Sequence, residues 1–272
     1  MASMIVGCTP SSTLLEIEEL LSSHGVSRVV VLNETGTATG IVSEKDILRF
    51  MLTDNSDRGL ESVCAKEVMS SRLISINPEV PIVDAAQVMI EENISSLTVN
   101  SDRLEGLVTK GDIVRYVALS GHRLCPVTEV MARNPVTVDQ TNSILSTVQL
   151  MSQRKISRVV VVDQDQEPKG IITLADFTLL LLSFVSKRMP ASDLLTRSDA
   201  VGLSAKDVMT HNPLTIHENA DLLEAAELMM KHRISGLPVV DESSKLRGII
   251  GKTDIARAVA NAKGNDIGIS AN

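Results

Sequence analysis

The sequence predicts a mixed α/β fold of the α+β class, built from four copies of one small unit. Two observations carry that prediction. A heptapeptide recurs as GIVSEKD at residues 40–46, GLVTKGD at 106–112, GIITLAD at 170–176 and GIIGKTD at 248–254. Its aspartates stand 66, 64 and 78 residues apart, a longer period than the common solenoid repeats. Around each copy, β-branched runs alternate with segments whose apolar residues fall at helical spacing. A chain of 272 residues suits about two domains. Units of some 65 residues are marginal alone, so they are expected to pair.

Each unit opens on a short strand, at residues 5–8, 73–76, 135–138 and 213–216. A polar turn and a helix follow, the helix clearest in Leu222, Leu223, Ala226, Met229 and Met230. Next come the runs beginning VSR at Val26, ISS at Ile94, ISR at Ile156 and ISG at Ile234, which read as buried strands. A turn leads into the heptapeptide strand, after which a second helix starts, as at 176–184 and 254–260. The unit is therefore strand, helix, strand, strand, helix. Its sheet keeps one open apolar face, so repeats one and two should form one pair and three and four another. The joint between pairs is at 120–126, with longer connections at 53–60 and 187–204. Lead-in turns KEVM, TEVM and KDVM begin at Lys66, Thr128 and Lys206. The repeats are placed at 1–53, 66–120, 126–186 and 205–262, and the pairs at 1–121 and 122–272.

Composition narrows the function. The longest apolar run, 177–185, is too short to span a bilayer, and the expected location is cytoplasmic, with no membrane partner. Cys8, Cys64 and Cys125 are widely spaced and form neither a disulfide framework nor a zinc pattern, so no metal is expected. With one tyrosine, three phenylalanines and a net charge of −8, the chain lacks the aromatic platform and basic groove of a nucleic-acid binder. The charge is uneven: 9 Lys and Arg face 17 Asp and Glu in residues 1–121, against 17 of each in 122–272. On that balance the second pair should bind polyphosphates better. No nucleophile and base constellation or P-loop is apparent, so the expected protein is not an enzyme and carries no cofactor.

The heptapeptides, the VMTHNP phrase at 208–213 and the S/T-x-x-D endings in register resemble four cystathionine beta-synthase (CBS) domains. They would form two tandem Bateman modules, as in the gamma subunit of AMP-activated protein kinase. The resemblance covers nearly the whole chain. It implies a disc of four repeats that holds AMP, ADP, ATP or S-adenosylmethionine in clefts between paired repeats and signals to an effector protein. Either a monomer or a homodimer would satisfy the arrangement.

The resemblance also assigns residues. Asp46, Asp112, Asp176 and Asp254 would take the ribose diol, an acceptor-only carboxylate matching two hydroxyl donors. Ser43, Thr109 and Thr173 would meet ribose or phosphate oxygens, and Gly251 leaves repeat four without that hydroxyl. Arg28 and Arg158 stand where the gamma subunit places phosphate-binding arginines, and a planar fork of donors suits phosphate. Lys110 and Lys252 could add charge, whereas Ser96 and Gly236 remove the cation from repeats two and four. Base recognition would fall to the first strands, at Val6, Ile74, Ser75, Val136, Thr137, Leu214 and Thr215. Helix capping alone explains each S/T-x-x-D taken singly. Strand packing likewise explains the apolar candidates, and a helix C-terminus explains His232 and Arg233. A scaffold with degenerate sites, or an S-adenosylmethionine module, is the alternative reading.

Overall fold

The structure is a computed structural model, and residues 5–54, 58–101, 103–177 and 202–262 are described. Each repeat holds a three-stranded core sheet. In repeat one, Gly7–Cys8 runs parallel to Arg28–Leu32, which pairs antiparallel with Ala38–Ser43. Repeat two repeats this with Ser75–Ile76, Ser96–Asn100 and Leu104–Thr109. Repeats three and four use Thr137–Asp139, Arg158–Val162 and Pro168–Thr173, then Ile216–His217, Gly236–Val240 and Leu246–Gly251. The first strands are shorter than the sequence suggests. Val6, Ile74, Val136 and Leu214 lie just before them, in chain that approaches the sheet edge.

The first helices are Leu14–His24, Ile82–Glu91, Ile144–Gln153 and Leu222–Lys231. Three start on a side-chain cap: Thr13, Ser143 and Asp221 each accept from a free N–H of the first turn. The second helices are Glu44–Thr53, Lys110–Ser120 and Lys252–Asn261, and the chain is helical again from Leu174 to Phe177. The rest of the helix expected at 176–184, and the connection at 187–204 up to residue 201, lie outside the described residues.

Packing of the helices differs from the simplest expectation. One apolar core joins repeats one and three, through Leu14, Ile17, Ile47 and Met51 with Ile144, Val148, Met151 and Ile172. The other joins repeats two and four, through Ala85, Met89, Ile113 and Val117 with Leu222, Ala226, Met229 and Val259. Fully burying a side chain of this size stabilises by about 1.5–3 kcal/mol, so the helices bind the two halves of the chain together. Within each half the repeats meet through their lead-in turns. Ala132–Arg133 adds a strand to the sheet of repeat four, and Thr210–His211 adds one to repeat three.

Three methionines explain both the lead-in phrase and the heptapeptide glycine. Met69, Met131 and Met209 lie on Gly40, Gly248 and Gly170, where a methyl group would collide with the thioether. Each lead-in turn is thus seated on the last strand of the neighbouring repeat. That seat aims the following residues at the space between repeats.

Candidate functional site

Every heptapeptide aspartate caps its helix, and each does so with one oxygen. Oδ2 of Asp46, Asp112, Asp176 and Asp254 accepts the backbone N–H of Ser43, Thr109, Thr173 and Gly251 at 3.0, 2.9, 2.7 and 2.9 Å. The hydroxyls of Ser43, Thr109 and Thr173 donate to the same oxygen at 2.6, 2.9 and 2.6 Å. Capping and ligand binding are therefore compatible, because a carboxylate has a second oxygen. That oxygen differs between repeats. Oδ1 of Asp46 pairs with Arg49 at 2.8 Å, and Oδ1 of Asp254 with Arg257 at 3.0 Å. Asp112 is followed at the same spacing by Arg115, but Asp176 by Leu179, which cannot form an ion pair.

Asp176 opens onto a cleft of about 460 Å³ between repeats three and four, a volume in the range of small-molecule sites. Thr173 and Arg158 line it from repeat three; Thr210, Asn212 and Leu214 line it from the lead-in of repeat four. Asn212 holds a positive φ of 48°, a region asparagine tolerates, and so turns Pro213 and Leu214 into the cleft. Leu214 is 43% exposed there, while Thr215 is exposed outside the lining. His232 and Arg233 also line the cleft, beyond their role as the end of a helix.

The approach to the first strand shows a further asymmetry. The carbonyls of Val6, Ile74 and Val136 accept the N–H of Val30, Thr98 and Val160 at 3.0, 3.1 and 3.3 Å. In repeat four the corresponding donor position is Pro238, which has no N–H. The Leu214 carbonyl consequently stays outside the sheet ladder, and Pro238 lines the cleft beside it. Ser75, by contrast, is tied into its own sheet by Thr98 at 2.7 Å and Asn100 at 3.0 Å. Val136 and Thr137 are half-buried at the corresponding place in repeat three.

The phosphate candidates do not divide among four sites. Arg28, Ser43, Thr109, Lys110, Arg158, Thr173 and Lys252 all line one central cavity of about 330 Å³ where the four repeats meet. Lys45 and Glu44 join them, as do Ser27, Ser95, Ser157 and Ser235, one serine from each repeat. Lys45 and Thr253 keep exposed surface, so the cavity communicates with solvent. Lysines and arginines from both halves of the chain share it, so the uneven charge of the two halves does not rank them.

The two glycines taken as losses turn out to be accommodations. Arg158 Nη2 donates to Ser235 Oγ at 3.0 Å, and the guanidinium occupies the room that side chains at Gly236 and Gly251 would fill. Arg28 makes the equivalent crossing, donating to Ser96 Oγ at 3.0 Å. Repeats two and four thus receive their cation from the partner repeat. Burial lowers the pKa of Arg158 to about 10, offset in part by Asp254, and its Nε is buried without a partner among the described residues. Arg158 lines both the cleft and the cavity, and so connects the two.

Lys110 is 7% exposed, and its ammonium donates across the repeats to Thr253 Oγ1 at 3.3 Å. Burial first, then repulsion from Lys45, Arg28 and Arg257 against the attraction of Asp254, moves its pKa from 10.5 to about 8. That displacement corresponds to about 3 kcal/mol of folding free energy. Between pH 8 and 10.5 the unfolded chain holds a proton that the folded one has lost, so stability rises with pH there and the cost is present in full below 8. Lys110→Met should melt above the wild type at pH 7, with the gap closing as the pH approaches 9.5. A constant gap in thermal scans across that range would exclude this origin.

Among the described residues no cluster of metal ligands occurs, and no helix is long and apolar enough to cross a membrane. Comparison with known proteins places the chain. It is 26% identical over 271 residues to the uncharacterized MJ1404 of Methanocaldococcus jannaschii, covering 97% of this chain and 61% of that protein. The crystal structure of MJ1225 from the same organism, described as a candidate archaeal homologue of the gamma subunit of AMP-activated protein kinase, superposes with a TM-score of 0.82. That match is at 21% identity and covers 94% of this chain and 96% of the other. An uncharacterized conserved protein of Pyrococcus horikoshii gives a TM-score of 0.66 at 19% identity, over 95% and 97% of the two chains. The CBS domain pattern matches four times, at residues 1–53, 65–119, 127–183 and 205–261. With four matches spread from end to end, the chain belongs to the CBS domain family.

Proposed function

We propose that this protein is a non-catalytic sensor that binds adenine nucleotides, AMP, ADP or ATP, and passes their state to an effector protein. The cleft between repeats three and four carries the proposal. The Leu214 carbonyl and Asp176 Oδ1 have no hydrogen-bond partner among the described residues, and the Arg158 guanidinium, which donates to Ser235, keeps its Nε unpaired. The Leu214 carbonyl can accept from the exocyclic amine of adenine, Asp176 Oδ1 from the ribose hydroxyls, and the Arg158 guanidinium can donate to phosphate. Of these only the Arg158 Nε is buried, and an unmet buried polar group costs about 1–3 kcal/mol, which phosphate binding would recover. The other clefts are weaker candidates, because their carbonyls are held in the sheet and the outer oxygens of Asp46 and Asp254 by arginines.

Calorimetric titration with AMP tests this directly. Asp176→Asn keeps one acceptor oxygen but loses the charge, and should weaken AMP about tenfold, the scale of one charge-assisted hydrogen bond. Asp254→Asn should have a smaller effect. Equal losses in the two variants would remove the ranking of the clefts. No heat with any adenosine ligand would favour a scaffold whose sites have decayed.

A further inference from the structure

The spacing that puts methionines on the heptapeptide glycines occurs four times in the sequence. Cys8, Ile76, Val138 and Ile216 are equivalent first-strand residues, paired with Val31, Val99, Val161 and Val239. Seven positions before them stand Met1, Met69, Met131 and Met209. The last three are the methionines that lie on Gly40, Gly248 and Gly170. In each of those seats the residue after the methionine pairs with the residue after the glycine: Ser70 with Ile41, Ala132 with Ile249 and Thr210 with Ile171. The second half of the chain shows the exchange in both directions, repeat three on repeat four and repeat four on repeat three. The first half shows repeat two on repeat one. The reciprocal edge is Leu104–Thr109 of repeat two, and among the described residues nothing pairs with its outer side. Gly106 on that edge is nonetheless buried, as Gly40, Gly170 and Gly248 are. An open strand edge presents unpaired N–H and C=O groups and accepts a further strand. The described chain begins at Ile5, beside the sheet edge of repeat one, and residues 1–4 precede it.

We propose that Leu104–Thr109 is the docking edge for residues 1–4 of this same chain, with Met1 over Gly106, Ala2 paired with Leu107 and Ser3 opposite Gly106. The register follows the other seats, where Arg133 stands opposite Gly248 and His211 opposite Gly170. In those seats a stretch of the same length runs from the methionine to the first strand within one chain, so no second copy is needed to bridge the distance. The other three methionines have chain on both sides, so the seat does not require a terminus. Docked in this register, Ala2, Met4 and Val6 take the positions that Thr210, Asn212 and Leu214 hold in the lining beside Asp176. The N-terminal segment thereby walls the space beside Asp112, and its packing ties repeat one to repeat two in both directions.

The test is amide hydrogen exchange, read by NMR, on the full chain and on the same chain started at Met4. The full chain carries a short N-terminal extension, and its intact mass shows that Met1 is retained. Ile41 exchanges hydrogen bonds with Ser70 in both directions, at 3.0 and 2.9 Å, and Leu107 should do the same with Ala2. The Leu107 N–H should therefore exchange about tenfold more slowly in the full chain than in the chain from Met4, at every protein concentration. Gly106→Val should lower the melting temperature of the full chain by several degrees, and that of the shortened chain by less than half as much, because the methionine it strikes is gone. Equal exchange at Leu107 in the two chains would overturn the docking. Protection that grows with protein concentration would give the edge to a second copy and overturn it as well. A valine equally damaging in both chains would place the strain inside repeat two and remove Met1 from the seat.

Discussion

Arg158→Met should raise the melting temperature of the ligand-free protein and lower its affinity for ATP about 100-fold. The two effects have opposite signs because they report different states of one guanidinium. Without ligand, Arg158 is a poorly compensated cation: its pKa is held at about 10, it donates to one serine hydroxyl, and its Nε finds no partner. The displacement from 12.5 corresponds to about 3 kcal/mol at neutral pH, where the charge is present in full, and methionine removes that cost while filling similar space. Loss of the Ser235 hydrogen bond returns roughly 1 kcal/mol. A net gain of about 2 kcal/mol is worth a rise of several degrees in a chain of this size. With ATP bound, the same guanidinium would make charge-assisted, forked bonds to phosphate, for which methionine offers nothing. If the variant instead melts lower and binds ATP unchanged, Arg158 is a structural residue that ties repeat three to repeat four.

Much of the candidate site was legible because the chain writes it four times. Four aspartates in register identify a shared position, and the capping role that competes with ligand binding uses only one of their oxygens. The recurrent serines Ser27, Ser95, Ser157 and Ser235 were equally visible, and all four face the central cavity. Pro238 took the structure to read: only the hydrogen bonds of Val30, Thr98 and Val160 show that it stands where the first-strand carbonyl would otherwise be held in the ladder.

What the sequence hid were relations between repeats. An amphipathic helix declares that one face is apolar without naming what covers it, and here helices of repeat two pack on those of repeat four while sheet edges meet their lead-in turns. Glycines hid most. Gly236 and Gly251 read as missing functional groups when each repeat is judged alone, but the space belongs to an arginine 78 and 93 positions away in the chain. A glycine states that something comes close and is silent about what does.

The same reasoning makes Gly170→Val one of the most damaging single changes available in the second half of the chain. Gly170 pairs with His211, and the Met209 side chain lies directly over it, so that even a Cβ would collide with Cβ, Cγ and Sδ of the methionine. A flexible thioether could swing its sulfur aside, but Met209 Cβ is fixed by the backbone of the lead-in turn. The turn must therefore lift from the strand, at a cost of about 3 kcal/mol for an overpacked core site. Met209→Ala alone should cost about 2 kcal/mol through the cavity it leaves. In the double variant the valine partly occupies that space, so the two losses should fall short of their sum by more than 1 kcal/mol in a denaturation cycle. Because Met209 aims Thr210, Asn212 and Leu214 at the cleft, Gly170→Val should also weaken AMP binding in protein that remains folded. Strictly additive losses would place the strain in the backbone pairing of residues 170 and 211, and the methionine would cease to be what positions the cleft wall.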